Sequence, residues 1–488
     1  MGWKYSQIIA AKDGNLIPLC KNSQTEQEVS LHSKYNPVRE ADGFAASIPP
    51  DCAFFVILGV AGGYHIERLS EKFSNCKILA VETDDNSLAF LSQIPAVQKL
   101  RGNKRVNLTS LSTLEKNLPA LYKPAIHGNL SVLPLRQWES IFCEEAELAR
   151  KKITATIKLL SADFSVQSHF GKIWQKNILS NLSLAEKLPP FTPPGKKNIQ
   201  GKTAAIIAAG PSLDESIPEL KKNRDSYYII ATDTAFSALL RHGIGSDAVV
   251  SIDGQMISHE HYMGQLPRET LYVFDLCANP SSVRKAFSVT KNILLAETGH
   301  PLAQYASFFD GARNFIHLDA GSGTVTIAAA SLARLLGFPN DKIAFFGADF
   351  AYIGGRPYAR GTYLESKFHS RSDRLGTAEK SYTALMYRTP TVRIAESRIT
   401  TEILDAYRAS LDDFMRRKPS SSAISVNKFN LKRFKSRYRK DLRETFRGGT
   451  DFDEDSNAFT TLLPLCAKMG KGSAFVAYLK TLEYTDKI

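Results

Sequence analysis

A short glycine loop follows an apolar, strand-like segment near the middle of the chain. The segment Ala204–Ala208 is followed by Gly210, Pro211 and Ser212, with Glu215 three residues further on. Gly210 allows the backbone to approach a ligand closely, and the spacing of Ser212 and Glu215 is that of a capping box, so a helix is predicted to begin here. Free backbone N–H groups at such a helix start attract anions. The motif predicts a phosphate site, with an ordinary helix cap as the alternative.

A second loop of the same kind lies further along the chain. Gly321, Ser322, Gly323 and Thr324 precede an apolar, alanine-rich segment predicted to be a helix over Val325–Leu336. Two glycines and two hydroxyls at a helix start again offer backbone N–H groups to an anion. Two such loops in one sheet favour a nucleotide-sized pocket.

Three carboxylates stand at the ends of predicted strands, namely Asp233, Asp253 and Asp349. A carboxylate in such a place binds a base or a ribose, holds a metal, acts as an acid or base, or simply caps a turn. Neither Asp233 nor Asp253 lies in a D-x-D pattern, so Mg²⁺ is possible but not demanded. The nearby pair His259 and His261 has no evident third ligand, and no metal site is predicted.

The stretch from Tyr352 to Tyr382 is long, polar and punctuated by glycine. We expect a loop beside the pocket, and loops of this length are usually functional. Its tyrosine hydroxyls and guanidinium groups suit a phosphate leaving group. Histidine titrates near neutrality, which makes His369 a candidate general base, with an exposed bystander as the alternative.

Short apolar strands alternate with helical segments from Lys202 onwards, which predicts an α/β domain with a mostly parallel sheet. The predicted strands are Ala204–Ala208, Tyr228–Ala231, Ala248–Ile252, Leu271–Phe274, Ile293–Ala296 and Ile343–Gly347. Ligands of such sheets bind at the carboxyl ends of the strands, where the strand order reverses. The glycine loops and the three carboxylates all stand at predicted strand ends.

The N-terminal part contains a strand-turn-helix-strand pattern that predicts a Rossmann-like domain. Ala53–Val60 is an apolar strand, a glycine turn leads into a helix over His65–Phe73, and a second strand ends at Glu82. Glu82 lies 23 residues after Gly59, about where such domains bind a ribose hydroxyl. Because the glycine spacing is not G-x-G-x-x-G, a Rossmann-like fold with an empty pocket is the alternative.

The chain of 488 residues has a formal charge of +13, concentrated in one region. Between Ala351 and Gly448 there are 22 lysines and arginines against 10 acidic residues. This distribution points to one anion-facing region and makes nucleic-acid binding an unlikely function. The six cysteines form no C-x-x-C pair, and neither a signal peptide nor a membrane-spanning run is evident, so we expect a cytoplasmic location.

The composition along the chain divides it into four parts. We expect a Rossmann-like domain over residues 1–150, a helical connector with a proline-rich linker over 151–195, a catalytic α/β domain over 196–395, and a basic helical region over 396–488. In the last part, apolar residues recur at every fourth position and predict a helix with a buried stripe and a basic outer face. These residues are Phe434, Tyr438, Leu442 and Phe446.

Six segments, in the same order along the chain, resemble the motility accessory factor family. They are Leu31–Ala41, Leu58–Tyr64, Ala208–Asp214, Ala231–Gly254, Gly321–Gly337 and Phe345–Gly355. The members of that family are described as bacterial glycosyltransferases that place nonulosonic acids, such as pseudaminic or legionaminic acid, on Ser or Thr of flagellin. The resemblance therefore implies flagellin as the protein acceptor.

The central part is also similar to bacterial CMP-sialic-acid sialyltransferases, and this similarity implies roles for individual residues. Two groups of residues, Gly210 to Ser212 and Ser322 to Thr324, would embrace the CMP of a CMP-activated nonulosonic acid, which is a co-substrate rather than a tightly bound cofactor. Tyr352 and Tyr358 have the six-residue spacing of two tyrosines that bind the leaving phosphate. His369 is nearest to the catalytic histidine.

The chain also departs from these families, which leaves alternatives open. The usual G-Q-D of the motility accessory factors is Gly347-Ala348-Asp349 here, and a nucleotide-contacting Asn of the sialyltransferases is Asp233. The same superfamily includes a 6-hydroxymethylpterin diphosphokinase, which would use ATP and Mg²⁺. A diphosphokinase and a non-catalytic flagellin-binding protein are therefore the two alternatives to a glycosyltransferase.

Overall fold

The computed structural model describes residues 2–49, 52–191, 193, 199–321, 323–418, 426–447, 452–470 and 472–488. The chain forms two compact units. One consists of Met1–Gly171 and Pro464–Ala474, and the other of Lys172–Leu463 and Phe475–Ile488. Three residues of the predicted proline-rich linker, Thr192, Pro194 and Gly195, lie outside the described residues.

The first unit contains two sheets. Strands β1 to β3 form an antiparallel sheet, and β4 to β7 form a parallel sheet in the order β6-β5-β4-β7. The strands are β1 Trp3–Ala10, β2 Leu16–Asn22, β3 Glu28–Ser30, β4 Phe54–Leu58, β5 Lys77–Glu82, β6 Val106–Ser110 and β7 Leu130–Pro134. The helices are α1 Pro37–Ala46, α2 Tyr64–Lys72, α3 Asp85–Leu91, α4 Pro95–Arg101, α5 Leu114–Leu121, α6 Pro124–His127, α7 Arg136–Ile141 and α8 Cys143–Ala185, which continues into the second unit.

The Rossmann-like pattern of the first unit is confirmed. All five residues of β4 are fully buried, as expected for a strand covered on both faces of a parallel sheet. Helix α2 begins after Gly63, whose φ of 79° favours glycine. The antiparallel sheet β1-β2-β3 was not predicted, because β1 has no fully buried residue and lacks an apolar run.

The second unit is built on seven parallel strands in the order β13-β12-β11-β10-β9-β8-β14. These strands are β8 Thr203–Ile207, β9 Tyr227–Thr232, β10 Ala248–Ser251, β11 Leu271–Asp275, β12 Ile293–Glu297, β13 Ile316–His317 and β14 Ile343–Phe346. A smaller antiparallel sheet consists of β15 Tyr352–Ile353, β16 Thr391–Ala395 and β17 Arg398–Thr401. The mostly parallel sheet predicted for the central part is confirmed, and the predicted strands correspond to β8 to β12 and β14.

The helices that follow the central strands include those predicted at both glycine loops. They are α9 Leu213–Lys222, α10 Asp233–Arg241, α11 Pro280–Val289, α12 Pro301–Phe308 and α13 Val325–Leu335. Beyond them lie α14 Tyr363–Ser370, α15 Ala378–Met386, α16 Glu402–Arg416, α17 Leu431–Thr445, α18 Asn457–Thr460, α19 Leu463–Met469 and α20 Ala474–Asp486. The chain is thus a mixed α/β protein that ends in helices.

Two predictions for the later part of the chain have opposite outcomes. The expectation of a long loop from Tyr352 to Tyr382 is wrong, because this stretch folds into β15, α14 and the beginning of α15. Both helices carry a threonine cap, Thr362 and Thr377, whose side chains accept a backbone N–H of the first turn. The apolar stripe of α17 is confirmed, since Phe434, Tyr438 and Leu442 have no exposed surface. Within the described part of the chain, no helix has the length and apolarity needed to cross a bilayer.

Candidate functional site

The strand order of the central sheet reverses at β8, which lies between β9 and β14. The carboxyl ends of the strands beside such a reversal are the usual ligand site of a parallel sheet, and we call this place at β8 and β14 the crevice. Across it, the N–H of Gly210 donates to the carbonyl of Gly347 at 2.8 Å, and the N–H of Ser212 donates to Oδ2 of Asp349 at 2.9 Å. The crevice thus brings together Asp349 and the Gly210-Pro211-Ser212 loop.

The backbone N–H groups of this first loop are already used within the protein. Besides those of Gly210 and Ser212, the N–H of Leu213 donates to the carbonyl of Gly210 at 3.0 Å. The side chain of Ser212 caps no N–H group, so the predicted capping box does not form. The expectation of free amides is therefore wrong. The carboxylate of Asp349 occupies the place of an external anion at the helix start, because the chain brings β14 beside β8.

An ion pair and two hydrogen bonds hold the segment after β15 against the first loop. Asp214 forms an ion pair with Arg356 and accepts the backbone N–H of Arg360 at 2.9 Å. The N–H of Ala359 donates to the carbonyl of Ala209 at 2.9 Å. Tyr358 therefore lies next to the glycine loop in space, although it is far from it in sequence. Asp214 was not singled out from the sequence, where it reads as an ordinary acidic residue of the first helical turn.

Tyr352 and Tyr358 lie close to each other beside these contacts. Burial raises the pKa of both hydroxyls, while the positive charge of Arg388 acts in the opposite direction on each. Neither hydroxyl has a hydrogen-bond partner among the described residues, and the ring of Tyr352 packs against the cluster that contains Tyr382. Both groups remain protonated at neutral pH and can donate to an anionic oxygen. Arg388 was missed because no motif marks it.

His369 lies on α14, one helical turn after Glu365. Its Nε2 is 3.3 Å from Oε1 of Glu365 and 3.1 Å from the hydroxyl of Tyr382. With Nε2–H donating to the Tyr382 hydroxyl, Nδ1 is the nitrogen that can accept a proton. The side chain is 54% exposed, so a substrate hydroxyl can reach it. The sequence suggested His369 but not its two partners.

The two other strand-end carboxylates have different surroundings. Asp233 is buried and accepts the Ser251 hydroxyl at 2.6 Å and the Thr234 N–H at 2.7 Å. Asp253 is only partly buried, and its Oδ1 accepts the N–H of Gln255 at 2.9 Å. Burial, followed by the nearby charge of Asp233, raises the pKa of Asp253. Asp233 thus connects β10 to the start of α10 through hydrogen bonds. Asp253 is the carboxylate that is more accessible to a ligand.

The second glycine loop follows β13, five strands away from β8. At the spacing of neighbouring strands, the two strand ends are about 24 Å apart. The helix that follows the loop, α13, packs against β8, β9 and β10. The N–H groups of Gly323 and Thr324 both donate to the carbonyl of Ala320, and that of Gly321 to Asp319. Ser322 lies outside the described residues.

The histidines considered for a metal lie outside any strand. His259 and His261 belong to a 3-10 helix, Met256–Tyr262. Among the described residues, no group of three or more His, Cys, Asp or Glu side chains is arranged to hold a metal ion.

Two further acidic strand ends were overlooked in the sequence, although Asp275 and Glu297 carry the same signal as Asp233. Glu297 is bound by His317 at 2.9 Å and by the N–H of Gly299 at 3.0 Å. Asp275 is 1% exposed, and its Oδ1 accepts the N–H of Cys277, whereas its Oδ2 has no hydrogen-bond partner in the described part of the chain. Burial raises the pKa of Asp275 from 3.8 to about 6.

We expect Asp275→Asn to change how stability depends on pH. The native pKa lies above the unfolded one, so the protonated carboxyl stabilises the fold at low pH, and this contribution is lost as the pH rises through about 6. The free energy of unfolding of the wild type relative to Asp275→Asn should fall by about 2 kcal/mol between pH 4.5 and 8. Urea denaturation at both pH values measures this difference. A difference that is constant with pH would contradict the prediction.

In the first unit, the carboxylate expected to bind a ribose forms its hydrogen bonds within the protein. Glu82 is fully buried and accepts four hydrogen bonds, from the Tyr5 hydroxyl, the Trp138 indole, and the N–H groups of Val60 and Thr83. The Cβ of any other residue at Gly59 would lie 2.5 Å from the Trp138 ring. Trp138 thus occupies the space next to the glycine turn. These contacts favour the alternative of a Rossmann-like fold without an open nucleotide pocket.

Comparison with known proteins gives a family match and similar solved structures. Residues 176–355 match the model of the family described as 6-hydroxymethylpterin diphosphokinase MptE-like. The fold is similar to the solved structure of the MAf glycosyltransferase from Magnetospirillum magneticum AMB-1, with 14% identity and a TM-score of 0.50 over 99% of this chain and 86% of that one. The resemblance to motility accessory factors is confirmed in the fold and the central domain.

The curated relatives are uncharacterized proteins of Treponema pallidum (strain Nichols). Three are 42%, 36% and 30% identical over 144, 186 and 213 residues, which are 29%, 38% and 42% of this chain. The matches cover 67%, 65% and 35% of the lengths of these relatives. The chain thus spans about two thirds of the first two and about a third of the other.

Proposed function

We propose that this chain is a glycosyltransferase. It belongs to one family with the first of the Treponema pallidum proteins, and it carries an MptE-like domain over residues 176–355. Its donor would be a CMP-activated nonulosonic acid, and its acceptor Ser or Thr hydroxyls of flagellin. The observation that carries the proposal is the pair of tyrosine hydroxyls, Tyr352 and Tyr358. Neither has a hydrogen-bond partner among the described residues, and both stay protonated and lie beside the glycine loop at the crevice.

Transfer requires that the bond between the sugar and the CMP phosphate breaks. The leaving phosphate gains negative charge in this step, and donors already fixed in place stabilise that charge most effectively. Tyr352 and Tyr358 would donate to the phosphate oxygens, with Arg388 adding positive charge. Because the N–H groups of the Gly210 loop are used within the protein, the Ser212 hydroxyl, which has no described partner, would be the contact of this loop with the nucleotide. The Gly321–Thr324 loop would be a second contact. The leaving group already carries its charge well, so little metal assistance is required, and Mg²⁺ is possible but not demanded.

The acceptor hydroxyl must lose its proton as it attacks the sugar. Nδ1 of His369 would accept this proton, while Glu365 and Tyr382 hold the ring through Nε2. The imidazolium that forms would be stabilised by the adjacent Glu365 carboxylate. Attack opposite to the leaving CMP would invert the configuration of the sugar.

The intact mass of flagellin tests the proposal. Flagellin from cells with this protein should be heavier, by one or more nonulosonic acid residues, than flagellin from cells that lack it. The double variant Tyr352→Phe/Tyr358→Phe should fail to restore the mass, whereas Tyr387→Phe, at an exposed tyrosine nearby, should restore it. An unchanged mass in the absence of the protein would overturn the proposal and favour a flagellin-binding protein without catalysis.

The second candidate is a diphosphokinase, which the description of the matched family names. It would transfer pyrophosphate from ATP to a pterin-like substrate with Mg²⁺. Asp253, which follows β10 and is only partly buried, is the carboxylate free enough to contact the metal. This candidate predicts that Asp253→Asn abolishes an ATP- and Mg²⁺-dependent release of AMP. If Asp253→Asn released AMP like the wild type, or the wild type released none with 6-hydroxymethylpterin, this candidate would be excluded.

A further inference from the structure

The outer face of α17 lines a groove that the transferase chemistry does not use. The groove has a volume of about 890 Å³ and lies between α17 and Glu186 at the end of α8. Six cationic side chains line it against two carboxylates, Glu186 and Glu444. We call it the α17 groove, and its cations are Lys432, Lys435, Arg439, Lys440, Arg443 and Arg447.

The position of this groove follows from the pattern of α17. Phe434, Tyr438 and Leu442 are fully buried, which fixes the rotation of the helix and turns the basic residues outward. Tyr305 on α12 packs on Tyr438 and donates to Asp441 at 2.7 Å. Because α12 follows β12, the groove belongs to the opposite end of the sheet from the crevice between β8 and β14.

Most of the positive charge in the groove is not neutralised by the protein. Arg439 pairs with Asp486 and Arg447 with Glu444. Lys432, Lys435, Lys440 and Arg443 form no ion pair with any described residue. Four lysine and arginine charges held close together repel each other, which favours binding of a partner that brings negative charge.

The spacing of the cations indicates the form of that partner. Lys435, Arg439 and Arg443 recur at every fourth position within α17, so successive positions are about 6 Å apart along the helix axis. In an extended peptide, alternate side chains on one face are about 6.6 Å apart. An extended segment with acidic residues at alternate positions therefore matches this row.

The lining also argues against nucleic acid. Single-stranded nucleic acids are bound through stacking of bases on aromatic side chains. The lining contains no aromatic residue, and Glu186 and Glu444 would lie against phosphates. In contrast, these carboxylates can accept backbone N–H groups of a peptide.

We propose that the α17 groove binds an extended acidic segment of another protein, about five residues long. The inference does not depend on the proposed transferase activity, because it rests on the charge and spacing of α17 alone.

Fluorescence anisotropy of the full-length protein with a labelled peptide of four Glu-Ser repeats tests this proposal. The peptide should bind, and Lys435→Glu/Arg443→Glu should weaken its binding at least tenfold. Lys221→Glu/Lys222→Glu changes the net charge equally at an exposed site on α9 and should leave binding unchanged. The milder variant Lys435→Gln/Arg443→Gln, with an expected loss of about threefold, keeps the test valid if the charge reversal unfolds the protein.

Three outcomes would overturn the proposal. The first is no binding of the peptide at low salt. The second is equal weakening by the α17 and α9 variants, which would indicate an effect of net charge. The third is tighter binding of a twelve-nucleotide uridine RNA that the α17 variant abolishes, which would make the groove a nucleic-acid site.

Discussion

Gly210→Ala is expected to abolish donor binding and to destabilise the second unit by about 2–3 kcal/mol. A Cβ at this position would lie 2.4 Å from both Oδ2 of Asp349 and the carbonyl oxygen of Gly347. Neither group can move away easily, because Asp349 also accepts the N–H of Ser212 and Gly347 holds the Gly210 N–H. The first loop must therefore shift, and the crevice loses its shape. Urea denaturation and calorimetric titration with CMP measure the two effects.

A matched glycine controls for the general effect of the substitution. A Cβ at Gly245 would meet no atom within 4 Å, and Gly245 has no positive φ. Gly245→Ala should therefore leave both stability and CMP binding unchanged. If Gly210→Ala bound CMP as tightly as the wild type, the crevice between β8 and β14 would not be the nucleotide site.

His369→Asn is expected to lower the rate of sugar transfer by a factor of about 10² to 10⁴, the usual contribution of a general base. Asparagine keeps a polar side chain on α14 but offers no nitrogen that accepts a proton. CMP binding should be unchanged, since His369 would act on the acceptor hydroxyl. The rate of CMP release in the presence of flagellin measures the first effect, and calorimetric titration measures the second.

An exposed histidine elsewhere provides the comparison for this variant. His169 lies on the exposed surface of α8 and contacts the ring of Phe170, so His169→Asn should transfer sugar at the wild-type rate. Transfer by His369→Asn at the wild-type rate would assign the base to another residue and leave the proposed donor site untouched. Loss of CMP binding in His369→Asn would instead indicate a structural role for this histidine.

Elements formed by local sequence were predictable. The strands β4, β5, β8 to β12 and β14 are short apolar runs, and the helices α9 and α13 begin at glycine loops. The stripe on α17 was visible as well, because its residues recur with the period of a helix. The structure of the region from Tyr352 to Tyr382 was not predictable, since its two helices are short and polar, and their threonine caps give a weak signal.

The sequence by itself determined the α/β class, the two glycine loops and the basic face of α17, because each depends on neighbours a few residues apart. Only the tertiary structure decided what those residues do. Asp349 accepts the N–H of Ser212, 137 positions away, because β14 pairs with β8. Glu82 accepts hydrogen bonds from Tyr5 and Trp138, which are far apart in the sequence of the first unit. Hydrogen bonds between segments that are distant in sequence form only when the pairing of strands in the sheet brings these segments together. A carboxylate or an amide that looks free in the sequence is therefore available to a ligand only if the fold leaves it without a partner.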